Sequence, residues 1–176
     1  PGTPAFAGVL RTIYQFGCLC RDNGIQLLYH NHDFEFVSFS GMYALDFLYA
    51  AMPEDVLKTE IDVCWVKYAG EDPAAYLRKY AGRAPVVHLK DFVGRKEGDA
   101  APYGLLGQSE TKAAGEVPFE FRPVGYGCQD VSAVAEAGLD AGAKWFVVEQ
   151  DASVGRTPLE AAAMSIDTLR KIGLKG

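Results

Sequence analysis

Residues 29–36, Tyr-His-Asn-His-Asp-Phe-Glu-Phe, hold two of the three histidines of this chain, His30 and His32, with Glu35 close behind. The third, His88, stands in Pro-Val-Val-His-Leu-Lys-Asp-Phe at 85–92, two residues before Lys90. Asp62 lies between Ile61 and Val63, and Glu149 and Asp151 follow the apolar pair Val147-Val148. Neutral imidazole titrates near physiological pH, so it can take a proton from a carbon acid or return one to a leaving hydroxyl. Burying a lone carboxylate is costly. Aspartate, histidine and glutamate that converge from separate elements are most simply stabilised by a divalent cation.

The elements that must position these residues alternate. Apolar residues recur at helical spacing from Ala5 to Arg21, and Asn23-Gly24 stops that helix. A strand is expected over 25–32, a helix over 43–52 stopped by Pro53, and a strand over 59–65. Asp72-Pro73 is a helix start, with Asp as N-cap and Pro at the first helical position, and that helix ends at Gly82. A strand over 85–92 leads into a long Gly-rich, charged loop at 93–118, read as a lid or an oligomer contact. Gly125-Tyr126-Gly127, either a tight turn or an anion-binding set of N–H groups, precedes a helix over 129–141. A strand over 144–150 and a helix opened by Thr157-Pro158 complete the pattern.

Four strands, each with a helix behind it, imply parallel pairing through helical crossovers. Both the doubly wound sheet and the (β/α)8 barrel fit. No GxGxxG or GxxxxGK[ST] follows a strand, which removes the usual nucleotide-binding open sheets. Every strand ends in ionisable residues: His30 and His32, then Asp62, then His88 and Lys90, then Glu149 and Asp151. In a βα-barrel those ends form the active-site face. One polar residue at a strand end usually caps a loop; four successive strands doing so point to a shared site.

Composition sets further bounds. The chain has 176 residues, 49% of them hydrophobic, enough for a single domain with one core. A net charge of −6 offers no cationic face to nucleic acid or to anionic lipid. No apolar run reaches the roughly 18 residues a membrane span needs. The four cysteines form no CxxC pair and read as free thiols of a reducing, cytoplasmic compartment. The chain opens without Met, as if inside a loop, so an export signal on a longer protein is left open.

In their order and spacing, GIQLLYHNHDFEF, TEIDVCW, PVVHLKDF, PVGYG and VVEQD resemble the sugar phosphate isomerase/epimerase family of xylose-isomerase-like TIM barrels. The resemblance spans essentially the whole chain. It implies that residues 1–176 are the C-terminal portion of a (β/α)8 TIM barrel, about strands five to eight. It also implies one divalent cation, commonly manganese, with magnesium, zinc and cobalt as alternatives. The ligands it implies are Asp62, His88 and Glu149, with Glu35 in place of the usual fifth-strand glutamate and His30 as its substitute.

The same resemblance implies a small sugar, keto-sugar or polyol as partner. The chemistry would be proton abstraction next to a carbonyl through a metal-stabilised enediolate. His32 is the first choice for the base and His30 the second, and both could instead orient Glu35. Lys90 would stabilise the oxyanion, and Glu149 stands among the catalytic as well as the ligating residues. Trp65, Phe34 and Arg122 are the substrate-binding candidates, Trp65 being either a sugar-stacking wall or core. No phosphate clamp is evident, which favours non-phosphorylated or oxidised sugars.

Inosose-type dehydratases and 3-keto-glycoside lyases leave the same pattern. The apurinic-site endonuclease branch would need more ligands and a basic face. A half-barrel by itself would expose two sheet edges and is expected to dimerise or aggregate, as a homo-oligomer or an inactive piece.

Overall fold

The computed structural model describes residues 2–94 and 119–174. Helix α1 (Pro4–Asp22) opens on Thr3, whose hydroxyl accepts from the Phe6 N–H at 3.2 Å. Strand β1 (Leu28–His30) is followed by a 3-10 turn (Phe34–Phe36), a small hairpin of β2 (Ser38–Phe39) and β3 (Met42–Tyr43), and α2 (Ala44–Ala50). Next come β4 (Lys58–Asp62), α3 (Val63–Tyr68), α4 (Pro73–Lys79), β5 (Val86–Leu89) and β6 (Asp91–Val93). The chain then runs through β7 (Glu120–Arg122), α5 (Val131–Asp140), β8 (Trp145–Val148) and α6 (Pro158–Lys171).

Strands β1, β4, β5 and β8 pair in that order, all parallel, as in four consecutive βα units of a barrel. Successive side chains on a strand point to opposite faces. Thr59, Ile61, Val87 and Leu89 point to one face and are buried there. Ile61, Val87, Leu89, Phe146 and Val148 join Leu45, Leu48, Tyr49, Leu77 and Val134 in one apolar core beneath the helices. The other face carries His30, Asp62 and His88. On β8, Trp145 and Val147 of that face are exposed. A second cluster, Cys64, Trp65, Tyr68, Phe92 and Phe121, lies under the β6–β7 hairpin.

Several boundaries differ from those the pattern predicts. The strand expected over 59–65 ends at Asp62, because its carboxylate caps a new helix: Oδ1 accepts from the N–H groups of Cys64 at 2.8 Å and Trp65 at 3.2 Å. Trp65 therefore lies on α3. The strand expected over 85–92 divides at Lys90, where β5 leaves the parallel sheet and β6 turns to pair antiparallel with β7. The β2–β3 hairpin precedes the helix expected at 43, with Ser40 and Gly41 both at positive φ in its turn. Of the expected loop, 95–118 lies outside the described residues, and so does the lid or contact role given to it. The helix starts at Asp72-Pro73 and Thr157-Pro158 stand as read: Asp72 accepts from the Ala74 N–H, and Thr157 with Glu160 forms a reciprocal capping box. The four cysteines are free thiols. Among the described residues no helix is long and apolar enough to cross a membrane.

Candidate metal centre

Four side chains from four consecutive parallel strands meet at the strands' C-terminal ends. His30 closes β1, Asp62 closes β4, His88 lies on β5 and Glu149 directly follows β8. Register brings them level: Asp62 is opposite His88, His88 is opposite Val147, and the Glu149 N–H donates to the Leu89 carbonyl at 3.1 Å. One ligating atom from each of His30, Asp62, His88 and Glu149 lies within 4.8 Å of all the others. His30 Nε2 is 3.1 Å from Asp62 Oδ2, His88 Nδ1 is 3.5 Å from that same oxygen, and His88 Nε2 is 3.3 Å from Glu149 Oε2.

Asp62 is wholly buried and held at both ends. With Oδ1 engaged by the start of α3, Oδ2 is left facing the two imidazoles. Its backbone is gripped by Asn31, whose Oδ1 accepts the Asp62 N–H at 2.9 Å and whose Nδ2 donates to the Asp62 carbonyl at 3.3 Å. Lys90 is 4% exposed, and its ammonium lies 2.6 Å from Glu149 Oε2, 3.1 Å from Asp151 Oδ2 and 3.7 Å from Asp62 Oδ2. It also sits over the rings of Trp65 and Phe121.

These surroundings set the charge states. Burial works against a charged Lys90, but Asp62, Glu149 and Asp151 outweigh it and raise its pKa, so the ammonium persists. Burial would push the Glu149 carboxyl up, yet Lys90 holds it below the usual value. Burial lowers the pKa of His88 and of His32, so both rings are neutral at neutral pH. Burial also opposes a proton on His30, but the Asp62 bond and charge prevail and raise it.

Of the predicted site residues, His30, Asp62, His88, Glu149 and Lys90 are brought together. His32 stands beside them, its ring 5.1 Å from that of His30. Glu35 is outside the group of four. Its carboxylate accepts from the Tyr29 hydroxyl at 2.8 Å and from the His32 N–H at 2.9 Å, which turns it into the loop, and His30 occupies the fifth-strand position. Trp65 is 3% exposed and packs among Tyr68, Phe119 and Phe121, as core rather than as an open wall. Phe34 is 54% exposed and stacks on His32. Arg122 pairs with Glu120 of its own strand β7, outside the group of four.

Sequence reasoning passed over three residues. Asn31 is one; its place between two histidines was its one signal. Asp91 is another: its buried carboxylate accepts from the N–H groups of Phe92, Gly125, Gly127 and Gln129 at 2.9–3.1 Å. The anion cradled by Gly125-Tyr126-Gly127 is thus the chain's own. A Cβ at Gly127 would come within 2.2 Å of Asp91 Oδ1, so only glycine fits there. The third is Gln129, whose Nε2 donates to the Val63 carbonyl at 2.8 Å, just past Asp62.

The donor set fits a divalent cation. Two imidazole nitrogens and two carboxylate oxygens converge, one from each strand. Buried His88 Nδ1 has no hydrogen-bond partner, although Asp62 Oδ2 is near. Three carboxylates, Asp62, Glu149 and Asp151, face the single ammonium of Lys90. Such a group is stabilised by further positive charge, and mixed imidazole and carboxylate ligation is compatible with a divalent transition metal.

A family model, the xylose isomerase-like TIM barrel, matches residues 5–172. The chain belongs to this family. Its fold is similar to that of a sugar phosphate isomerase/epimerase from Parabacteroides distasonis, at 21% identity and a TM-score of 0.68, over 92% of this chain and 50% of that one. It is also similar to a xylose isomerase domain protein from Planctomyces limnophilus (16% identity, TM-score 0.67, 98% of this chain and 54% of that one). A third likeness is to a xylose isomerase domain protein from Alicyclobacillus acidocaldarius (17%, TM-score 0.66, 96% and 57%). This xylose isomerase-like chain therefore spans about half the length of the structures it matches. Among curated proteins no significant match is found.

Proposed function

We propose that this chain supplies the metal-binding half of a sugar isomerase or epimerase that moves a proton next to a carbonyl. The observation that carries the reading is the convergence of His30, Asp62, His88 and Glu149 from the C-terminal ends of four parallel strands. A divalent cation held by these four, manganese in the first instance, would polarise the substrate carbonyl and offset the charge that develops as the neighbouring carbon loses its proton. His32 is the base: its neutral ring lies beside the centre on the loop after β1. Phe34, exposed and stacked on His32, offers an apolar face to a sugar ring. The Lys90 ammonium, anchored by Asp151, would stabilise the oxygen that gains charge. Glu149 would hold the cation, and its carboxylate, 2.6 Å from the Lys90 ammonium, keeps that proton donor at the centre. The substrate class is a sugar, keto-sugar or polyol without a phosphate.

Dehydratase or lyase chemistry is the second reading. Elimination needs an acid for the leaving group as well as a base, and the Lys90 ammonium with the neutral His32 ring would be that pair.

Elemental analysis of the purified protein, with Asp62→Ala and Glu149→Ala beside it, tests the metal. About one divalent ion per chain, lost in both variants, is the expected result. A manganese-supplied protein that retains no metal would overturn the reading. Incubating the metal-loaded protein with keto-sugars in D2O then separates the two chemistries. Deuterium incorporation without loss of water marks isomerase or epimerase action, and loss of water or of an aglycone marks a lyase.

A further inference from the structure

The β1–β4 ladder ends at the pair of His30 with Glu60, two residues short of Asp62. Beyond it, β1 leaves the sheet while β4 continues to Asp62, the N-cap of α3, whose carbonyl serves the helix but whose backbone N–H would go unpaired in a dry interior. The side chain of Asn31 takes both. Its carboxamide accepts from the Asp62 N–H at 2.9 Å and donates to the Asp62 carbonyl at 3.3 Å. Asn31 is 0% exposed, the one wholly buried residue between two histidines that are not.

We propose that Asn31 is a positioning residue of the metal centre, its carboxamide serving as the missing ladder rung that sets Asp62 against His30. The proposal rests on the reading of the four converging side chains as a metal centre. Asn31 contributes no ligating atom to the group of four. It acts through Asp62. The amide fixes where the Asp62 main chain stands relative to β1, and the N-terminus of α3 fixes the rotation of its carboxylate by engaging Oδ1. The two constraints together leave Oδ2 at 3.1 Å from His30 Nε2 and 3.5 Å from His88 Nδ1. Removing the amide frees the ends of β1 and β4 to drift apart, and a metal site tolerates little drift in its ligands. Groups that orient metal ligands in this way typically change metal affinity by about 10–100-fold when lost.

The test compares Asn31→Leu, which keeps the volume and loses both hydrogen bonds, with Thr59→Val. Thr59 is likewise wholly buried on β4, and its hydroxyl donates to the Arg83 carbonyl on the opposite face of the strand. Manganese affinity is read by titration followed with electron paramagnetic resonance, and stability by urea unfolding. The expected result is at least about a 10-fold loss of manganese affinity in Asn31→Leu and an unchanged affinity in Thr59→Val. Wild-type affinity in Asn31→Leu, or an equal loss in both variants, would overturn the proposal. If Asn31→Leu does not fold, Asn31→Ser takes its place, since a hydroxyl cannot span both backbone groups.

A second readout uses metal-free protein labelled with 15N-histidine. The His30 Nε2 resonance reports the hydrogen bond to Asp62, and it should move in the Asn31 variant but not in Thr59→Val. A wild-type protein that binds no manganese would defeat the metal reading alone. The His30 resonance would still decide the positioning role, and an unchanged resonance would end it.

Discussion

Asp62 and Asp46 are both acids set among aromatic rings and a lysine, yet they end differently. Asp46, on α2, accepts from the hydroxyls of Tyr76 at 2.6 Å and Tyr80 at 2.5 Å and from the ammonium of Lys79 at 2.6 Å. That ammonium also lies 4.8 Å from the centre of the Tyr76 ring. One negative charge meets one positive charge, and the donors are spent. At the candidate metal centre, among the described residues, three carboxylates share the ammonium of Lys90, and a buried imidazole nitrogen of His88 has no hydrogen-bond partner. A cleft of about 710 Å³ lies beside Asp46, lined by Tyr43, Tyr49, Lys79 and Arg83 among others, so available space does not mark the chemistry. What marks it is polar capacity that the chain leaves unused.

The contrast can be broken most decisively at the acids themselves. Asp62→Asn can still cap α3 through its amide oxygen, but it presents an amide where the candidate ligand oxygen Oδ2 stood. It should weaken manganese binding on the order of 1000-fold, beyond what loss of a ligand's outer partner does. Asp46→Asn should leave manganese binding unchanged in the same titration, and an equal loss in both would erase the distinction drawn between the two acids.

Asp91 extends the comparison to an acid closed by backbone donors alone. Asp91→Ala strands four N–H groups beneath the Gly125–Gly127 turn, and should cost about 3 kcal/mol in urea unfolding. A loss below about 0.5 kcal/mol would mean that water replaces the carboxylate freely.

Asp46→Ala should cost less, about 2 kcal/mol, since its partners lie nearer to solvent. Here pH gives a sharper signature. Burial alone would raise the Asp46 carboxyl, but the bonds from Lys79, Tyr76 and Tyr80 outweigh it and lower its pKa from the ordinary 3.8. A depressed folded-state pKa stabilises the fold fully above the unfolded value and ceases to do so as pH falls through the folded one. Unfolding midpoints of wild type should therefore fall more steeply with acid below about pH 4 than those of Asp46→Asn. Parallel curves would show that the Asp46 network is not coupled to folding.

The smallest expected effect concerns the choice of metal. With His30 beside His88, half of the four donors are imidazoles, and magnesium prefers oxygen. Magnesium should bind about 10-fold or more weakly than manganese, and equal affinities in competition would argue that His30 is not a ligand.

Much of this was legible before any coordinates. His30, Asp62, His88, Lys90 and Glu149 announce themselves as ionisable residues closing apolar runs. The pairs Asp72-Pro73 and Thr157-Pro158 mark helix starts through chemistry that acts within four residues. Parallel pairing followed from strands alternating with helices. These are local facts: period, cap and turn depend on neighbours in sequence, so the sequence by itself determined them. It did not determine the partners that come from elsewhere in the chain. Whether Glu35 or His30 joins Asp62 depends on Tyr29 and the His32 N–H capturing the glutamate first. Whether Trp65 is a wall or core depends on Asp62 ending β4 and sending the chain into α3 beneath Phe119 and Phe121. That the Gly125–Gly127 turn receives Asp91, and that Asn31 completes a ladder two strand ends could not, depends on register between strands about thirty residues apart or more. Register is set by packing across the whole sheet, and no window along the chain contains it.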